Sequence, residues 1–215
     1  MSTTHPSVVG EPPALISTPV AALARANARA SSAAEASHSG VWVAIFAITM
    51  SFVAFTSALF VREGTSGDWA HLTLPTILYW NTLTLFAASA TFELSRHAIF
   101  VGREFRSASA RSGSGWLLLT LALGLLFVAG QFAAWRQLSS QGLYLATSPN
   151  SSFFYVLTVA HALHVLGGML ALGWLVRQRL GGQPLRRRSF ESTSIYWHFM
   201  AVLWLYLLIV LRTKL

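Results

Sequence analysis

Cysteine is absent from the 215 residues. That excludes disulfides, thiolate metal sites and a cysteine nucleophile, and says nothing about redox compartment. Charge is nearly as scarce: Asp, Glu, Lys and Arg make up 10% of the chain, against about 25% in soluble domains. A chain so poor in charge is expected to have lipid as its solvent. Also missing are a glycine-rich phosphate loop, a dinucleotide-binding glycine fingerprint and a nucleophile elbow, so soluble enzymology has no footing. No helix carries arginine at the regular spacing of a voltage sensor. No matching halves with Gly- or Pro-broken helices point to a transporter.

What is present is apolar length, with 54% hydrophobic residues. Five runs are long enough to cross about 30 Å of hydrocarbon: about Val41–Val61, Thr76–Ser95, Trp116–Trp135, Phe153–Val176 and Ile195–Leu211. In lipid each backbone amide must be satisfied within its own segment, so each run is predicted to be a helix. The fold class is therefore all-α, an integral membrane bundle of five transmembrane helices over residues 40–215. Residues 1–39, rich in Ala, Ser and Pro, read as a mobile cytoplasmic tail. Within it Val20–Ala36 suggests a short surface helix, with Arg25 and Arg29 at i,i+4. The tail lacks a basic start followed by an apolar core, so no secretory signal is expected.

The net charge of +8 raises nucleic acid as a partner, but the bases sit between apolar runs, where membrane proteins gather them. Membrane, not nucleic acid, is the expected partner. With the tail inside, eleven bases fall on the inner side: Arg25, Arg29, Arg96, Arg103, Arg106, Arg111, Arg177, Arg179, Arg186, Arg187 and Arg188. Four fall outside: Arg62, Arg136, Arg212 and Lys214. The bias predicts a cytoplasmic N-terminus and an external C-terminus. Trp42, Trp69, Trp80, Trp116, Trp135 and Trp197 sit near run ends, where amphipathic rings favour the interface.

Polar groups inside the runs are the candidates for a site. Asn81, Thr82, Gln131, His161 and His164 need partners on other helices, because lipid offers none. His161 and His164 share one helix face at i,i+3, and His198 opens the last helix. Three histidines invite a haem or metal reading. Two ligands at i,i+3 on one helix cannot sandwich one iron, however, and His198 lies at another depth, so hydrogen-bonded structural histidines are the preferred reading. Glu93 is placed to pair with Arg96 or His97, and the alternative is a buried functional acid. Glu191, four residues ahead of the last run, suits a helix N-terminus. Gly167 and Gly168 follow the histidine pair and permit close approach of a helix or a lipid chain.

These residues carry a resemblance. Ala160–Leu170, AHALHVLGGML, resembles the His-x-x-His-Val-x-x-Gly signature of haem-copper oxidase subunit III, and Tyr196-Trp197-His198-Phe199 resembles its last-helix motif. LPTILYWNTLTLFAASAT (Leu74–Thr91) and WLLLTLALGLLFVAGQFAAW (Trp116–Trp135) are similar to two further blocks in the same order. The resemblance covers about residues 40–212. It implies the shorter, five-helix bacterial form, lacking the family's first two spans, in the bacterial inner membrane. It also implies a chain with no redox centre of its own, docked on a catalytic subunit I that holds the haems and copper, together with other oxidase subunits. A phospholipid-holding cleft is a family feature, so His161, His198, Glu191, Arg186, Arg187 and Arg188 are the candidate lipid contacts. Asn81, Thr82, Glu93, Gln131, His164, Gly167 and Gly168 are the candidate helix-interface residues. The implied role is to stabilise turnover and support proton uptake. Two departures weaken the proton role: Ile48 and Ala201 stand where many members carry an acid. The competing reading is a haem b membrane anchor of a quinol enzyme.

Overall fold

The computed structural model describes residues 19–65, 74–101, 108–142, 144 and 148–214. Among them are five α-helices: α1 (Pro19–Thr65), α2 (Ile77–Arg96), α3 (Ala108–Ser140), α4 (Pro149–Leu180) and α5 (Arg187–Lys214). A π-helical turn, His97–Val101, follows α2. The chain forms two compact units, Met1–Ala36 and Ser37–Leu215. Residues 1–18 of the expected tail lie outside the described residues. From Pro19 onward the tail is helical, and the expected short helix and first span belong to one helix. The reason is local. Val20–Ser39 is dominated by Ala, with no proline to break it, and a lone Gly40 costs only about 1 kcal/mol in a helix interior.

Among the described residues four stretches are long and apolar enough to cross a membrane: Ser39–Thr65, Gly113–Ser140, Pro149–Leu180 and Arg187–Lys214. The chain is thus a multi-pass membrane protein. Helix α2, at 20 residues, reaches about 30 Å but is less apolar, since it carries Glu93, Arg96, Asn81 and several hydroxyls. It nonetheless lies beside α3 and α5 through the same depth. Thr91 Oγ1 is 2.9 Å from Thr120 Oγ1, Trp204 Nε1 donates to Thr82 at 3.0 Å, and Phe92 packs on Phe190.

Helices α2 to α5 close around a core that includes Leu78, Phe92, Phe127, Phe154, Leu172, Trp197 and Trp204. Small residues set the spacing. A Cβ on Gly130 would collide with the buried Asn81 amide, and one on Gly124 would lie 2.9 Å from Trp197 Cη2. Helix α1 joins this bundle through Phe52 against His164, Tyr206 Oη donating to Thr56 at 3.0 Å, and Lys214 paired with Glu63 at 3.0 Å. Nearer the start of its apolar part, Gly40, Val41 and Ala44 face Gly167, Ala171, Ser192, Thr193 and Tyr196 across an open groove of about 380 Å³.

Helices α3, α4 and α5 extend past their apolar runs by about one or two turns at each end. Ser148 caps α4 in a reciprocal box with Ser151, and Pro149 follows at the first helical position, where its missing N–H costs nothing. At the other end of α4, Gly182 has φ +72°. Its N–H donates to Arg179 O, and Gln183 N–H donates to Gln178 O, the Schellman pairing that favours glycine.

Candidate functional site

One local device recurs along the polar seam. Threonine in a helix readily donates its proton to the carbonyl one turn back, which leaves the oxygen able to accept from a neighbouring helix. Thr82 donates to Leu78 O at 2.8 Å and accepts from the Trp204 indole of α5. Thr158 donates to Phe154 O at 2.7 Å and accepts from Trp135 of α3 at 3.0 Å. Thr56 donates to Phe52 O at 2.9 Å and accepts from Tyr206 of α5. An aromatic donor thus meets a threonine at three different helix pairs. Within lipid such a bond contributes about 0.6 kcal/mol on average, up to about 1.7. Asn81, buried in α2, donates to Phe127 O of α3 at 3.4 Å.

The three histidines are not brought together. His161 is 1% exposed and lies between the Phe127 and Trp204 rings. Neither of its ring nitrogens has a hydrogen-bond partner among the described residues. A lipid head group would need an exposed nitrogen, so the structure places His161 away from the surface for which it is a candidate. His164 holds Ala160 O with Nδ1 at 2.7 Å and meets Phe52 of α1. His198 holds Ser194 O with Nδ1 at 2.8 Å and stacks on Phe92. Among the described residues no group of three or more His, Asp or Glu is arranged to hold a metal ion.

Gln131 is buried, and neither amide atom has a partner among the described residues. One turn away along both helices, Trp135 and Thr158 are bonded. Gln131 and His161 therefore face the same α3–α4 seam unpartnered. Gly168 lies under the Tyr196 ring, with a Cβ contact of 3.1 Å to Cε1, and Gly167 under its hydroxyl. That hydroxyl donates to His164 O at 2.9 Å, tying the two signature motifs together.

A second polar cluster lies where the C-terminal end of α2 meets the N-terminal end of α5. Arg96 donates to Glu93 through Nε at 2.7 Å and through Nη2, and Arg187 Nε donates to Glu191 at 2.8 Å. Glu191 does not precede the helix, as the apolar run suggested. Helix α5 begins at Arg187, so Glu191 sits in its second turn and pairs at i,i+4. Trp197 is likewise not interfacial: it is 2% exposed and packs against Phe92 and Gly168. Its position near a run end resembled a belt tryptophan, but the helix continues two further turns outward. Trp69 lies outside the described residues. The apolar moiety of this cluster, Ile195, lines a pocket with Glu93, Arg96, Glu191, Ser194 and His198. The sequence singles out Glu93, Arg96, Glu191 and His198 without grouping them, since their adjacency depends on α2 and α5 packing together.

Inward-facing polar bonds, outward-facing Leu, Val and Phe, and helices of membrane length define a polytopic helical membrane protein. The family described as Cytochrome c oxidase subunit III matches residues 39–213, and the chain belongs to that family. It is 34% identical over 132 residues to the probable cytochrome c oxidase subunit 3 of Mycobacterium bovis, covering 60% of this chain and 62% of the relative. It thus spans a little over three-fifths of that relative's length. It is 29% identical over 181 residues to cytochrome c oxidase subunit 3 of Thermostichus vulcanus, covering 80% and 84% of the two chains. Over 98 residues it is 40% identical to the Synechocystis subunit, covering 44% and 41%.

Proposed function

We propose that this chain is a structural subunit of a bacterial haem-copper oxidase that carries no redox centre and docks on the catalytic subunit, where the haems and copper reside. The observation that supports this most is the use made of the three histidines. His161 is wedged between two aromatic rings, His164 ties α4 to α1, and His198 stacks on α2. Each belongs to a different helix contact, so no pair is placed to clasp one iron. Family membership supplies the oxidase context, and the names of the relatives point to partner oxidase subunits.

Its contribution is stability of the assembly during turnover. The outer face is strongly apolar, with Leu83, Leu170, Val202 and Ile209 each more than half exposed. Such a surface has to be covered by lipid or by neighbouring subunits. Phospholipid on this face and in the groove beside Gly167, with the chain in the inner membrane and its tail in the cytoplasm, completes the proposal. Ile48 and Ala201 are buried apolar side chains, which favours a stabilising role over a proton-conducting one.

The test is turnover of the complex with and without this chain, followed over many cycles. The expected result is near-normal initial activity with faster inactivation or poorer assembly when the chain is missing. Immediate loss of activity with all haems and copper in place would mean that the chain takes part in the chemistry. A visible haem band from the isolated chain would overturn the absence of a redox centre.

A further inference from the structure

We propose that a water molecule is bound inside the α3–α4 seam, bridging the side-chain amide of Gln131 to the imidazole ring of His161. The site is independent of the oxidase reading, since helix packing alone defines it.

Two contacts fix how α3 and α4 run past each other. Trp135 of α3 donates to Thr158 of α4 at 3.0 Å, and farther along Gly124 of α3 lies against Met169 of α4. Gln131 lies one turn from Trp135 and His161 one turn from Thr158, both toward the Gly124–Met169 contact. Positions three or four apart share a helix face, so the two side chains enter the seam at one level. Gln131 is 2% exposed and His161 1%, and both belong to stretches of membrane-crossing length. Bulk water does not solvate groups at that depth. Yet neither amide atom of Gln131 and neither ring nitrogen of His161 has a partner among the described residues. In native proteins the large majority of buried polar side-chain atoms are bonded, either to protein or to ordered water.

The packing keeps the two side chains from closing on each other. The His161 ring is held between Phe127, at 6.1 Å between centroids, and Trp204, at 5.1 Å. One turn away, the Trp135 indole bonded across the seam holds α3 and α4 apart. A mediator therefore has to be small, uncharged and able both to donate and to accept. Glutamine offers two N–H donors and a carbonyl acceptor, and the uncharged imidazole offers one donor and one acceptor. Water donates to one side chain and accepts from the other, as buried waters do for polar groups left without a protein partner. A cation does not suit the site, because neither side chain is anionic and an unbalanced buried charge is costly. Among the described residues no group of three or more His, Asp or Glu is arranged to hold a metal ion. Groups outside the bundle cannot reach atoms so deeply buried. The bridge gives α3 and α4 a second polar link, one turn from the Trp135–Thr158 bond.

The test is a cryo-electron microscopy map of the intact complex purified through this chain, at a resolution where buried waters elsewhere in the complex are visible. The expected result is one density peak in the seam, roughly 2.7–3.2 Å from an amide atom of Gln131 and from a nitrogen of His161. His161→Phe keeps a ring between Phe127 and Trp204 but removes both nitrogens, and the peak is expected to be lost. Gln131→Met keeps the length of the side chain without its polar atoms, and the peak is expected to be lost there too. Should one variant fail to assemble, the other decides, and should both fail, the wild-type map decides. Absence of the peak from the wild type while other buried waters are seen would overturn the proposal. So would a direct bond between Gln131 and His161, a peak at the metal–nitrogen distance of about 2.0–2.1 Å, or a peak that persists in either variant.

Discussion

Gly130 and Gly173 are both helical glycines, yet their surroundings differ. A methyl group at Gly130 would push into the Asn81 amide, which is buried and bonded to Phe127 O. At Gly173 it would meet nothing within 4 Å. Gly130→Ala should therefore destabilise the purified protein by about 1–3 kcal/mol, through overpacking and a displaced buried amide. Gly173→Ala should be neutral or stabilising by up to about 1 kcal/mol, from reduced freedom of the unfolded chain. Thermal unfolding of the two variants in one detergent checks the order, and the reverse order would contradict the close α2–α3 packing. His161 poses a second test. Its nitrogens bond to none of the described residues, so His161→Leu removes a polar group while keeping the flanking contacts to Phe127 and Trp204. The expected outcome is an assembled complex with unchanged haem content, measured by its visible spectrum. Loss of one haem per complex with assembly intact would restore the histidine-ligand reading.

Among the elements, α1 is held to the bundle differently from its neighbours. Where α2 and α3 meet through small residues, α1 relies on a few longer side chains: Phe52, Thr56 and Glu63 reaching His164, Tyr206 and Lys214. The Thr56–Tyr206 bond is one of them and is separable. A double-mutant cycle with Thr56→Val and Tyr206→Phe should give a coupling of about 0.6–1.7 kcal/mol in unfolding free energy, and a coupling near zero would mean that the bond contributes nothing. Much of this element level was legible in the sequence. Each apolar run proved to be helical, because lipid enforces the backbone's internal hydrogen bonds whatever the side chains. The continuity of α1 back to Pro19 was not legible from hydropathy, because alanine favours a helix without marking it as apolar. The capping box at Ser148 and the glycine pair after α4 were signals available in the sequence that hydropathy runs pass over. At the candidate site, Glu93 and Arg96 could be paired by their spacing alone. The joining of that pair to Glu191 and His198 depends on tertiary packing, as does the burial of Trp197.

For the molecule as a whole, the open question with a sharp answer is how many times the chain crosses the membrane. Four helices pass on length and apolarity, while α2 is marginal. If α2 did not cross, the four remaining spans would put both termini on one side. Packing argues that it crosses. At one end of the bundle Arg179 of α4 donates to Ser114 of α3, and Glu93 of α2 shares a pocket with Glu191 and His198 of α5. At the other end Glu63 of α1 pairs with Lys214 of α5. Helices α2 and α5 are in contact from Phe92–Phe190 to Thr82–Trp204, over half of the 20 residues of α2. The same arrangement gathers Arg96, Arg177, Arg179 and Arg186–Arg188 at the first end and leaves Arg62, Arg212 and Lys214 at the second. Membrane proteins keep the more basic end in the cytoplasm. The expected outcome is therefore five spans with the N-terminus inside and the C-terminus outside. A reporter active only in the cytoplasm should work when fused to the N-terminus and be silent when fused to the C-terminus. Activity at both ends would remove α2 from the spanning set, and activity at the C-terminus alone would keep five spans but invert the bundle against its basic end.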